Sequence, residues 1–126
     1  MNLERWSREG IAPPRAAPLQ IADPTQARAT LALDPYGNAK GGLRTPYVDV
    51  PLFRYGVYMD GPGICELWGY QVPLDARVLS DLYSTTAIYR EKIATATRRA
   101  VAGRWLTPED AARVLDEAAR QNLNLP

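Results

Sequence analysis

The chain has 126 residues, with 15 Lys plus Arg against 14 Asp plus Glu, a formal net charge of +1 and no histidine. That is one domain's worth of chain, and without imidazole it excludes Ser-His-Asp or Cys-His catalysis confined to these residues. Its single cysteine can build neither an internal disulfide nor a cysteine-rich zinc site, and the balanced charge argues against a nucleic-acid partner, which needs Lys and Arg massed on one face.

Of the eleven prolines and nine glycines, all but Pro108, Pro126 and Gly103 lie at or before residue 73. The chain therefore has two textures: a turn-rich, β-prone part, then a part rich in Ala, Leu, Arg and Glu that reads as helical. Residues 2 to 9 read as a short helix with Leu3 and Trp6 on one face and Gly10 as its C′ glycine. Eight residues are too few to hold a helix by propensity, so its apolar face needs something to dock on. Pro13, Pro14 and Pro18 then favour an extended arm.

Ala29 to Leu33 reads as a strand, and Asp34-Pro35-Tyr36-Gly37 has the residues of a type I turn, which predicts a hairpin over residues 29 to 43. Gly41-Gly42 supplies positive φ or a bulge. Val48, Val50 and Leu52 alternate against Tyr47 and Asp49, which predicts a strand that Pro51 makes an edge or breaks. Phe53, Tyr55 and Val57 resume the alternation up to a loop at Gly61-Pro62-Gly63. Ala76 to Tyr83 reads as a short helix with Val78, Leu79 and Leu82 on its apolar side. Ser84 or Thr85 caps the next, in which Tyr89, Ile93, Ala96 and Ala100 form a buried stripe flanked by Ile88 and Val101. Gly103 ends it. Thr107-Pro108-Glu109-Asp110 is a strong helix start, and Ala111, Val114, Leu115 and Ala118 carry that helix to about Gln121 as the second arm of an antiparallel helical hairpin. The predicted class is α+β, one domain or part of one, divided into a helix and proline arm (1–28), a β- and turn-rich segment (29–75) and a helical tail (76–126).

Leu3-Glu4-Arg5-Trp6-Ser7-Arg8-Glu9-Gly10-Ile11-Ala12-Pro13-Pro14 resembles the final helix of an α/β-hydrolase and its exit into a proline-rich segment. Asp34-Pro35-Tyr36-Gly37-Asn38-Ala39-Lys40-Gly41-Gly42-Leu43-Arg44-Thr45-Pro46-Tyr47-Val48-Asp49-Val50-Pro51 is similar to a run near the C-terminus of the bacterial "alpha/beta hydrolase domain" family. Gly63-Ile64-Cys65, Val72-Pro73-Leu74-Asp75 and the two-helix tail follow in the same order, so the resemblance runs from about Leu3 to about Gln121. It implies a carboxylic ester hydrolase whose Gly-x-Ser-x-Gly serine, acid and histidine lie before the Trp6 helix. No catalytic residue is carried over: Ser7, Ser80 and Ser84 are the only serines, and none is flanked by the glycines of a nucleophile elbow. The resemblance thus implies a C-terminal cap or appendage in place of a complete hydrolase fold.

The substrate-facing candidates are Arg44, Tyr47, Asp49 and Tyr55. Set against them stands the reading that their surroundings favour, Arg44 and Asp49 as a structural ion pair or turn hydrogen bond, and the aromatic density of Tyr36, Tyr47, Phe53, Tyr55, Tyr58, Trp68 and Tyr70 as core packing with hydroxyls at the rim. Cys65 reads as an inert buried thiol, Gly41-Gly42 as a turn, Arg98, Arg99 and Arg104 as cations at a helix C-terminus, and Asp60 with Glu66 as unrelated loop carboxylates. No metal or cofactor is expected. Leu3 and Trp6 are the partner-docking candidates, the partner being an upstream hydrolase core, on the same or a separate polypeptide, or a second copy. Apolar runs of only a few residues and the charges Glu4, Arg5, Arg8 and Glu9 near the N-terminus predict a cytoplasmic chain without membrane contact. The competing reading is a stand-alone, non-catalytic module that binds a protein or a ligand.

Overall fold

The computed structural model describes residues 2–25, 30–57, 63–64 and 68–125. In chain order these form α1 (Asn2–Glu9), α2 (Pro46–Asp49), β1 (Phe53–Gly56), β2 (Tyr70–Pro73), α3 (Ala76–Leu82), α4 (Thr86–Ala102) and α5 (Pro108–Arg120). The class is α+β: five helices and one two-stranded antiparallel sheet among the described residues.

The tail forms as its caps and apolar periodicity dictate. The Thr85 hydroxyl accepts the Ile88 N–H at 3.2 Å at the start of α4, and the Thr107 hydroxyl accepts the Asp110 N–H at 3.1 Å at the start of α5. Tyr89, Ile93, Ala96 and Ala100 are buried along α4, against Ala111, Val114 and Ala118 of α5. The helices run antiparallel, since Arg90 near the start of α4 donates to the Ala118, Ala119 and Gln121 carbonyls at the end of α5. A guanidinium there meets both the orphan carbonyls and the negative end of the dipole. Leu115, expected on the buried face, is 40% exposed, because the contact stripe passes through Ala111, Val114 and Ala118 alone. The core joins Val50, Tyr83, Tyr89, Ile93, Ala96, Val114 and Ala118, with Leu79 and Leu82 of α3 packed against it.

The expected strand over Tyr47 to Leu52 is instead one helical turn, α2, followed by an extended link into β1. Pro46 sits at the first helical position after an extended Thr45, and the Val48 and Asp49 N–H groups both turn back to the Thr45 carbonyl, at 2.9 and 3.0 Å. The expected hairpin is reduced to the isolated bridge Leu33↔Ala39 around the Asp34 turn, where the Gly37 N–H meets the Asp34 carbonyl at 3.0 Å. The proline arm completes this region. Gln20 N–H donates to Lys40 O at 3.0 Å, Lys40 N–H to Ala32 O at 2.9 Å and Ala32 N–H to Gln20 O at 2.8 Å, a closed triangle of backbone bonds joining three segments. Gly41, at φ +76°, allows it, since a Cβ there would lie 2.0 Å from the Pro18 carbonyl oxygen.

At the N-terminus α1 ends as expected: Gly10 takes φ +70° and its N–H meets the Trp6 carbonyl at 3.1 Å. The helix is tied to the α4–α5 loop, with the Asn2 amide donating to Arg104 O at 2.7 Å and the Arg104 guanidinium to Ala12 O at 3.0 Å. Arg104, not Gly103, adopts the left-handed conformation there, at φ +62°. Leu3 and Trp6 remain 73% and 55% exposed.

Candidate functional site

The site is built outward from one turn. Asp34 Oδ1 accepts the N–H groups of Tyr36 and Asn38, both at 2.9 Å, which fixes the turn and aims the Asn38 side chain. Asn38 is buried to 1% exposure and takes the place of a strand residue on the edge of β1 opposite β2: its Oδ1 accepts the Tyr55 N–H at 2.8 Å and its Nδ2 donates to the Phe53 carbonyl at 3.2 Å. β2 pairs the other edge, with Phe53 opposite Pro73 and Tyr55 opposite Gln71. The two side chains of β1 that matter here are thereby held from both edges.

Arg44 performs the matching task for α2. Its Nε donates to Asp49 at 2.8 Å, its Nη2 to Asp34 at 3.0 Å and to the Val48 carbonyl at 3.0 Å, and its Nη1 to the Ala39 carbonyl at 2.7 Å. Burial pulls the guanidinium's pKa down, but the hydrogen bonds and charges of Asp49 and Asp34 outweigh it and leave the group above its ordinary value. The arrangement is the structural ion pair, widened to a triad that clamps the Asp34 turn to the α2 turn.

Between α2, the link to β1, β1 itself and α5 lies a half-open cavity of about 450 Å³. Tyr47, Val50, Leu52, Phe53, Tyr55 and Gln71 line one side, and Tyr89, Glu117, Ala118 and Gln121 the other. Of the four substrate-facing candidates, the fold thus brings Tyr47 and Tyr55 to the cavity and leaves Arg44 and Asp49 behind its wall. The Tyr47 hydroxyl donates to Glu117 Oε2 at 2.6 Å across the cavity, joining α2 to α5. Burial, reinforced by the Glu117 hydrogen bond and charge, pushes Tyr47 up to about 12. Tyr89 is likewise pushed up to about 12, by burial and then by its neighbours Tyr55 and Glu117, and burial alone raises Tyr55. All three phenols are neutral at physiological pH, so they can donate hydrogen bonds but cannot act as bases. Behind them Tyr83 stacks edge-on against Tyr89 with centroids 5.3 Å apart and donates to the Pro51 carbonyl at 3.0 Å.

Glu117 and Tyr89 escaped the sequence reading as site residues. Tyr89 lies on the core stripe of α4, which masks its second place in the cavity wall, and Glu117 shows no local signal because its partner lies 70 residues away. Asn38 had one, its place directly after the turn sequence Asp34-Pro35-Tyr36-Gly37. Among the expected aromatic cluster, Tyr36, Trp68 and Tyr70 lie outside the cavity lining. The readings for Tyr58, Asp60, Cys65 and Glu66 fall outside the described residues. Among the described residues no cluster of carboxylates and thiols converges as metal ligands do, and no helix is long and apolar enough to cross a membrane.

Compared with known proteins, residues 1–116 match the model of a family described as "Alpha/beta hydrolase domain". The chain belongs to the alpha/beta hydrolase domain family. No curated protein and no solved structure matches it. The family match spans α1, the triangle of bridges, the Asp34–Arg44–Asp49 triad, the sheet and most of α5, and it takes in the cavity wall of α2, β1, β2 and α4 but stops just before Glu117, Ala118 and Gln121.

Proposed function

We propose that the chain is the non-catalytic C-terminal cap or appendage of an α/β-hydrolase-like carboxylic ester hydrolase. It packs on a catalytic core, supplied by the same or a separate polypeptide, and shapes the substrate entrance while acyl-ester cleavage takes place on that core. The observation that carries this reading is the family match over residues 1–116 in a chain with no histidine. A serine hydrolase needs a base that accepts the nucleophile's proton near neutral pH. The Tyr47–Glu117 pair offers no substitute, since its phenol is a donor and its carboxylate already accepts that donor.

The surface supports the same reading. Leu3 and Trp6 on α1 are exposed, and so are Leu19, Ile21, Leu33 and Leu43 on or beside the bridged segments, a supply of apolar side chains that a companion surface would cover. The alternative, a stand-alone ligand-binding module, draws on the cavity itself, where the Tyr55 and Tyr89 hydroxyls have no hydrogen-bond partner among the described residues.

The test compares hydrolysis of chromogenic acyl esters by the purified chain alone with hydrolysis after co-expression with a family member cut before its equivalent of Asn2–Glu9. The expected result is background turnover alone and restored turnover together. Turnover by the chain alone that vanishes on substitution of Ser7, Ser80 or Ser84 would contradict it.

A further inference from the structure

Among the described residues Glu117 is the single charged side chain in the cavity lining, which it shares with Tyr47, Phe53, Tyr55 and Tyr89. The neighbouring cations are engaged elsewhere. Arg113, one turn before Glu117 on α5, acts on Glu117 and Tyr47 through space, but its guanidinium is exposed, paired with Asp110 and outside the cavity lining. Arg90 is bound to the carbonyls that end α5, and Arg44 to Asp34 and Asp49. An anionic ligand would therefore meet a carboxylate and, among the described residues, no cation in the cavity lining. A hard metal ion would find one carboxylate where it needs several oxygen ligands. A purely apolar ligand would screen the cavity side of the Glu117 carboxylate from water and offer it nothing in return beyond the Tyr47 hydroxyl it already holds. A soft organic cation meets all three constraints, because aromatic faces and a carboxylate both attract it, and the volume suits a small molecule.

We propose that this cavity binds a small organic cation of the alkylammonium or quaternary ammonium class. Its charge lies against Glu117 and the tyrosine rings, and its hydrocarbon part against Val50, Leu52 and Ala118. This goes beyond the hydrolase reading and does not rest on it, since it concerns a site contained in the chain alone.

The experiment is a titration of the full chain, followed by amide and side-chain NMR shifts, with choline and with its uncharged isostere 3,3-dimethylbutan-1-ol. The expected result is saturable shifts at Tyr47, Tyr55, Tyr89 and Glu117 with choline, and binding roughly tenfold weaker for the neutral alcohol. Glu117→Gln, an exposed position whose one described hydrogen bond is to Tyr47, should bring the two ligands to within about twofold of each other while the spectrum stays folded. Tyr55→Leu should weaken choline more than the alcohol. Equal binding of the two ligands by the unaltered chain, no saturable shift with choline, or a charge preference that survives Glu117→Gln would each overturn the proposal. The ester-cleavage test reads none of these quantities, so either result can fail without the other.

Discussion

Asn38 concentrates more of the site's geometry than any other single side chain. Its amide satisfies one donor and one acceptor of β1, so removing it leaves the Tyr55 N–H and the Phe53 carbonyl facing a gap in a buried place. Asn38→Ala should therefore cost about 2 to 3 kcal/mol, and Asn38→Asp at least as much, because its carboxylate would face the Phe53 carbonyl. Denaturant midpoints measure both. Arg44→Lys should also destabilise, by about 1 to 3 kcal/mol, since one ammonium cannot reproduce a planar fork that reaches two carboxylates and two carbonyls. The phenols add a pH dependence of defined sign. Tyr47 and Tyr89 rise from an ordinary 10.0 to about 12 in the folded chain. Stability from keeping them protonated is thus fully present below about pH 10 and is lost as the pH climbs through about 12. Denaturant midpoints should fall over that window, and Tyr47→Phe should flatten part of the fall.

At the scale of elements, α4 and α5 were legible because two independent signals agree at each. Thr85 and Thr107 cap where Ser/Thr caps are expected, and the apolar stripe repeats at helical spacing over several turns. Ile93, 1% exposed in the centre of that stripe, gives the measurable contrast. Ile93→Asp should cost about 3 to 5 kcal/mol or abolish folding, whereas Thr107→Ala should cost about 1 kcal/mol through the lost cap. The shorter elements were not legible in the same way. Val48, Val50 and Leu52 alternate as in a strand, yet Thr45-Pro46 is the same N-cap and first-turn pair that marks α5, and over only four residues the local helix signal prevails. β2 is exposed at every position, so its sequence lacks the burial alternation by which a strand announces itself, and only its antiparallel pairing with β1 defines it. The cavity was legible by halves for the same reason: Tyr47 and Tyr55 belong to a conspicuous aromatic stretch, while Glu117 becomes a site residue only when the helical hairpin folds back over α2.

For the whole molecule, the distribution of apolar side chains matters most. The helical hairpin, α2 and α3 contribute to one core, whereas α1 is anchored by polar contacts, through Asn2 and Arg104, and leaves Leu3 and Trp6 turned to solvent. Covering that pair fully would contribute roughly 3 to 5 kcal/mol, enough to matter for docking and little for the fold beneath. Trp6→Ala should accordingly improve solubility and lower Tm by no more than about 2 °C, as a surface substitution does. The most direct measurement is the emission of Trp6 in a variant in which Trp68 and Trp105 are replaced by Phe. With the chain alone the emission should be that of a partly solvated indole open to quencher, and adding the truncated hydrolase core should shift it to the blue and protect it. Emission that is unchanged by a core whose ester cleavage the chain restores, or that is already blue-shifted and protected in a monomeric chain alone, would contradict docking through this helix.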